Sequence, residues 1–271
     1  MGIFSDSDKL GDPFDVLIDS ELDLIDMNHE FNSSLHMEEQ VFGRFSREDI
    51  RAMMKEAGIF RCLENRGYFD CRLEINPISE LDNRIYIKTK DKEILIHMRL
   101  KLNDFTLKKL AETYKMVYID WLLSQNVKMG KLKEKKRLFQ GQEYPGLNIF
   151  KELTEFIVHL MVQMGAHGIF NVPEYFHDAV LFHKNSHFVD PVKEGTFRYL
   201  MTRLKDYNLR DLSNLIHSNR VKYGESGDTY QWKYGEMLYT RSSYLQAELF
   251  NETYHETVRQ ILEKERYFII I

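Results

Sequence analysis

The sequence predicts a mixed α/β (α+β) protein, a twisted sheet flanked by helices, and three observations carry that expectation. Two β-rich runs, Arg84-Ile-Tyr-Ile-Lys-Thr-Lys and Glu93-Ile-Leu-Ile-His-Met-Arg-Leu, flank the polar turn Lys90-Asp91-Lys92 and read as a hairpin. Ile149, Phe150, Leu153, Phe156, Ile157, Leu160, Met161 and Met164 recur at helical spacing and form one apolar face. That helix lies between two short apolar, β-rich segments, 116–123 and 169–172. The order strand, loop, helix, strand is that of a parallel crossover unit.

The remaining elements follow in chain order. Ser46 followed by Glu48 and Asp49 is an N-cap with first-turn acids, so a helix is expected over 46–58, with Ile50, Met53 and Met54 on its apolar face. Residues 71–77 have strand character and precede the hairpin. Leu107, Leu110 and Ala111 share a helical face, which predicts a short helix over 105–115. The segment 116–123 reads as a central strand. A basic run, Lys128, Lys131, Lys133, Lys135, Lys136 and Arg137, then leads through Gly141, Pro145 and Gly146 into the long helix. Gly165 and Gly168 end that helix. A strand closed by Pro173, a short helix over 174–184 and a strand at 187–190 come next. The last eighty residues predict helices at 194–217 and 243–265 around a strand at 230–240. The apolar C-terminal pentapeptide is expected as a strand in a sheet. Strands 116–123 and 168–172 should be adjacent and parallel, with the right-handed crossover usual for such units.

Composition narrows the function classes. The chain has 271 residues, with 43% apolar and 29% charged residues, enough for a substantial core. Charge interrupts every long apolar stretch, so no membrane span is expected. The acidic start argues against a secretory leader, and Cys62 and Cys71 read as free thiols, so a cytoplasmic location is expected. A net charge of −5 gives no general attraction to nucleic acid. The acids concentrate in the first 45 residues, where Phe14, Leu17, Ile18, Leu22 and Ile25 add apolar anchors for a possible protein partner. The organisation expected is an acidic extension over 1–36, a core over 37–192 and a C-terminal addition over 193–271 packed on it.

Two segments resemble a known family. Gln142-Glu-Tyr-Pro-Gly-Leu-Asn-Ile-Phe-Lys-Glu-Leu is similar to the pyrophosphate-binding loop and following helix of the acyl-CoA N-acyltransferase (GNAT) superfamily. Ala179-Val-Leu-Phe-His-Lys-Asn-Ser-His-Phe resembles its second motif, Ala-x-x-Leu-Tyr-x-Lys-x-Gly-Phe, with the same spacing from Ala179 to Phe188. The resemblance implies a GNAT-like sheet and a site for acetyl-CoA or another acyl-CoA. Gly146 allows close backbone approach, the N–H groups of Leu147, Asn148 and Ile149 face the pyrophosphate, and Gln142, Lys135 and Lys136 assist. Asn148 stands at the second glycine position, and Phe182 where many members carry a tyrosine general acid.

Asp120, on the central strand, is the candidate base for the amine proton. An Asp bonded to loop backbone is the plainer reading of that position. His177, His183 and His187 cluster around the second segment, but no carboxylate stands at helical ligand spacing and no zinc signature appears, so hydrogen-bonded histidines and no metal are expected. Two functions fit: transfer of an acyl group from acyl-CoA or a carrier thioester to an amine acceptor, or a non-catalytic protein that keeps the fold and acts through partners.

Overall fold

The Ser46 hydroxyl accepts the Asp49 amide and the Asp49 carboxylate accepts the Ser46 amide, a reciprocal cap that starts helix α1 (Arg47–Glu56). Ile50, Met53 and Met54 are its buried face, as their spacing requires. Helix α2 (Ile59–Glu64) follows after Gly58, whose φ of 83° turns the chain. The chain is described by a computed structural model over residues 40–107, 112–131, 138–139, 141–224, 226–263 and 268–270. The acidic extension and Lys133, Lys135, Lys136 and Arg137 lie outside the described residues.

Strands β1 (Arg72–Ser79), β2 (Asp82–Lys88), β3 (Ile94–Leu107) and β4 (Glu112–Ser124) form an antiparallel meander, with the hairpin where the sequence places it. The helix expected over 105–115 is not there. Phe105, Thr106 and Leu107 extend β3 and pair with Tyr114, Thr113 and Glu112 of β4. The Phe105 ring packs 4.8 Å from that of Phe170, and the Thr106 and Thr113 hydroxyls bond at 3.0 Å. Cross-strand partners of this kind outweigh a weak local helical spacing.

Helix α3 (Phe150–Gln163) carries the chain from β4 to β5 (Gly168–Asn171), which pairs parallel to β4 from Met116↔Gly168 to Ile119↔Asn171. Next come α4 (Phe176–Phe182), β6 (His187–Phe188), α5 (Pro191–Arg203), α6 (Leu209–His217), β7 (Val221–Tyr223), β8 (Met237–Thr240), α7 (Ser243–Leu249), α8 (Glu252–Glu263) and β9 (Phe268–Ile270). The main sheet has seven strands in the order β1-β2-β3-β4-β5-β8-β6, and β7 pairs β9 in a separate ribbon. This is a mixed α/β fold, with eight α-helices among the described residues. Residues beyond 192 are part of its central layer, because β8 lies between β5 and β6.

One sheet face, through Ile85, Ile87, Met98, Leu100, Leu102, Val117, Ile119 and Ile169, packs under α1, α2 and α3. The opposite face is covered only near β5 and β8, where Leu245 and Leu249 of α7 meet Tyr114, Met116 and Phe170. Over β2–β4 that face carries paired charges and stacked rings, with Trp121 half exposed. No helix among the described residues is long and apolar enough to cross a membrane.

Gly168 marks the tightest point of the sheet. A Cβ there would lie 2.5 Å from the Tyr239 carbonyl oxygen and 3.0 Å from the Met116 sulfur. Gly168→Ala should therefore destabilise the fold by about 1–3 kcal/mol, since backbone on β8 must give way. Gly146→Ala, whose Cβ would meet nothing closer than 3.7 Å, should stay within about 0.5 kcal/mol of wild type. Urea midpoints of the two variants test the contrast.

His97, stacked on Tyr86 at 4.3 Å, has a buried Nε2 without a partner. Burial, with Arg84, Arg99 and Lys88 nearby, lowers its pKa from 6.5 to about 4. A depressed imidazole contributes stability fully above 6.5, and that contribution is lost as pH falls toward 4. His97→Phe keeps the ring stack and removes the orphan nitrogen. The variant should match or exceed wild type at neutral pH by up to about 1 kcal/mol and lose less on acidification. Equal acid sensitivity in the two proteins would remove His97 from the account.

Candidate functional site

The parallel pairing of β4 and β5 lasts four residues and stops at Ile119↔Asn171, while β4 continues along β3 to Ser124. At this point the register against β3 slips. Arg99 faces Trp121 and Leu100 faces Ile119, so Asp120 is an extra, bulged residue. Beyond it, no strand among the described residues lies on the β5 side of β4. A small cleft, partly open to solvent and with room for about one water, begins where the strands part. Ile119 and Asn171 come to it from the strands, Phe150 and Thr154 from α3, and Phe182 and Ser186 from α4 and the turn after it.

The Asn171 amide is buried, and its Nδ2 has no hydrogen-bond partner. A group in that position needs an acceptor from the cleft. Phe182 meets Phe150 edge-on at 5.1 Å, and Ser186 Oγ donates to the Phe182 carbonyl at 2.8 Å.

The loop ahead of α3 is fixed from several directions. Leu147 and Ile149 are buried in the main core. The Asn126 amide, just past β4, donates to the Pro145 carbonyl at 2.7 Å. Arg66 reaches over from the end of α2, donating to the Cys62 carbonyl at 2.6 Å and the Asn148 carbonyl at 3.1 Å. Asn148 itself holds the left-handed conformation, φ 53°, which asparagine tolerates. The N-cap of α3, Ile149, supplies no side-chain bond to the first amides of the helix. Glu152 in that first turn complements the dipole. Burial, then Glu152, pushes the Cys62 thiol up.

The sequence-predicted residues divide between this site and other places. Leu147, Asn148 and Ile149 stand directly before α3 but do not line the cleft; Phe150 and Phe182 do. Gln142 bonds within its own turn, its amide donating to the Phe139 carbonyl at 3.2 Å. Gly146 has no left-handed φ and space for a Cβ; the unusual backbone belongs to Asn148. Lys131 pairs with Glu143, and Lys128 lies over the Tyr68 ring. Lys135 and Lys136 lie outside the described residues. Asp120 contacts Arg99 at 3.2 Å and Lys101 at 3.5 Å on the open sheet face, opposite the face that Ile119 presents to the cleft. Two cations hold it, and Arg99 also binds Asp82 at 2.7 Å.

The three histidines separate as well. His177 is core: its Nδ1 lies 3.0 Å from the hydroxyl of the fully buried Ser213, its ring stacks on Phe139, and burial lowers its pKa to about 4. His183 and His187 converge instead on Glu194 of α5, at 2.8 and 3.4 Å. Burial alone would raise the Glu194 carboxyl; hydrogen bonds from the two histidines outweigh it and hold the group at about 2. Sequence reasoning missed Glu194 because it lies on another element. It also missed Arg66 and Asn171, whose roles depend on contacts distant in the chain.

No protein-family model matches the chain, and no curated protein matches it.

Arg66→Ala should free the loop at Asn148 and cost up to about 1 kcal/mol, modest because the side chain is partly exposed. Amide hydrogen exchange should accelerate selectively at residues 147–152. Unchanged exchange there would show that the buried Leu147 and Ile149 suffice.

Proposed function

We propose that this chain is a divergent GNAT-like protein that holds an acyl-CoA-type thioester where β4 and β5 part, and transfers its acyl group to an amine. The observation that carries the reading is the parallel β4–β5 pair, joined through a loop and α3, that opens at Ile119 and Asn171 beside the start of that helix. A pantetheine arm is peptide-like, with two amides. Among the described residues the β4 edge beyond Ile119 has no strand neighbour on that side, and it suits such an arm by strand-like hydrogen bonding. The amides at the start of α3 suit a pyrophosphate. The unpartnered Asn171 Nδ2 suits a carbonyl oxygen inside the cleft.

In the reaction, an amine nitrogen attacks the thioester carbonyl, the C–S bond breaks, and the thiolate leaves as the amine loses its proton. A thiol of pKa about 8.5 departs without obligatory protonation. Asp120 is held by Arg99 and Lys101, and Phe182 has no hydroxyl, so water carries the protons and turnover is slow. Those same two residues favour a second reading, a thioester- or CoA-binding protein without catalysis.

Acetyl-CoA at 100 times its dissociation constant should raise the unfolding free energy by about 2.7 kcal/mol. Thiol release measured with a panel of amines should be slow in wild type and faster in Phe182→Tyr, since a positioned general acid is worth about 10²–10⁴-fold. Stabilisation without thiol release in either protein would establish the second reading. No stabilisation by acetyl-CoA or CoA would overturn both.

A further inference from the structure

His183 caps the end of α4, His187 begins β6 and Glu194 lies in the first turn of α5, so three elements bring two imidazoles and a carboxylate together. His183 Nε2, His187 Nδ1 and a Glu194 carboxylate oxygen all lie within 4.8 Å of one another. Metal–ligand bonds of about 2.0–2.1 Å at tetrahedral angles place ligand atoms about 3.3 Å apart. The His187–Glu194 separation of 3.4 Å already matches, and the His183–Glu194 contact of 2.8 Å needs to open by a few tenths of an ångström.

The carboxylate is built in. Glu194 is 1% exposed, and its second oxygen accepts the Phe188 amide at 3.1 Å, which fixes the orientation of the first. Ligating carboxylates are held in this way by an outer hydrogen bond. Among the described residues Glu194 pairs with no lysine or arginine; the neighbouring Lys193 instead lies over Trp232 at 3.8 Å. A buried carboxylate calls for a cation, and among the described residues the two imidazoles are the groups placed to supply one. The rings are also positioned by packing. His183 lies 4.8 Å from Phe197 and His187 meets the edge of Phe250 at 5.5 Å. The His187 side chain is 52% exposed, which leaves an entry route and a coordination position open to solvent.

From this geometry we infer that His183, His187 and Glu194 form a binding site for an imidazole-preferring divalent cation, of which Zn²⁺ is the best match. Two imidazoles, one carboxylate and one position facing water is a three-ligand set of the kind zinc uses where it exchanges ligands. The turn 183–187 also carries Ser186, and Phe182 directly precedes it, so a bound ion would fix one wall of the cleft. The inference does not depend on what the cleft itself binds.

The test uses the full chain, stripped with a chelator and then titrated with Zn²⁺ and, separately, with Co²⁺ as a spectroscopic probe. One equivalent should bind, raise the thermal midpoint and give the visible bands of a low-symmetry, four- or five-coordinate Co²⁺ site. His187→Ala alters a half-exposed residue and should fold. It should weaken Zn²⁺ binding more than about tenfold and abolish the bands. His159→Ala, at a histidine of α3 that faces Glu56 instead of the cluster, should bind as wild type does. Absence of stoichiometric binding, or equal binding by wild type and His187→Ala, would overturn the site. Either result would leave Glu194 as a carboxylate that only bonds its two histidines and the Phe188 amide.

Discussion

The fold depends on the parallel pairing of β4 with β5. The four residues of β5 are all buried, closed in by β4 on one edge, β8 on the other, α3 over one face and α7 over the other. A strand enclosed in this way has no room for variation, which is why Gly168 tolerates no Cβ. Its shortness has the opposite consequence at the other end. After Asn171 the chain leaves the sheet for Pro173, β4 runs on with no strand on its β5 edge among the described residues, and the cleft opens there.

The bulge at Asp120 belongs to the same constraint. β4 stays paired with β3 through its whole length, but its register slips by one residue where β5 stops. The slip leaves one extra residue on β4. It also turns Asp120 to the open face, where Arg99 and Lys101 neutralise it. The geometry that opens the cleft therefore also takes the carboxylate out of it. Water is left to handle the protons in the proposed acyl transfer.

The cluster of His183, His187 and Glu194 follows a different logic. Glu194 is buried because the start of α5 packs behind β6, and its charge is tolerated there because two histidines and a backbone amide face it. Such a network is stable as hydrogen bonds and pre-arranged for a cation. A third element brings the carboxylate to a histidine pair that would otherwise remain a turn on the surface.

Much of this structure was legible in the chain. Ser46 with Asp49, the hairpin about Lys90–Lys92, the apolar stripe of α3 and its placement between adjacent parallel strands all follow from local spacing and capping, which act over a few residues. Phe150 and Phe182, one from each of the two segments that resemble acyltransferases, both line the cleft. Local signals failed where distant partners decided. Residues 105–107 and 112–115 became strand because each met a partner across a long hairpin. β8, more than sixty residues after β5, completed the sheet from a segment that reads in sequence as an appendage. Arg66, Asn171 and Glu194 gained their roles from contacts that no spacing encodes. The sequence by itself determined which elements form and in what order. Tertiary packing alone decided which buried polar groups face one another, because burial and distance exist only once the layers close.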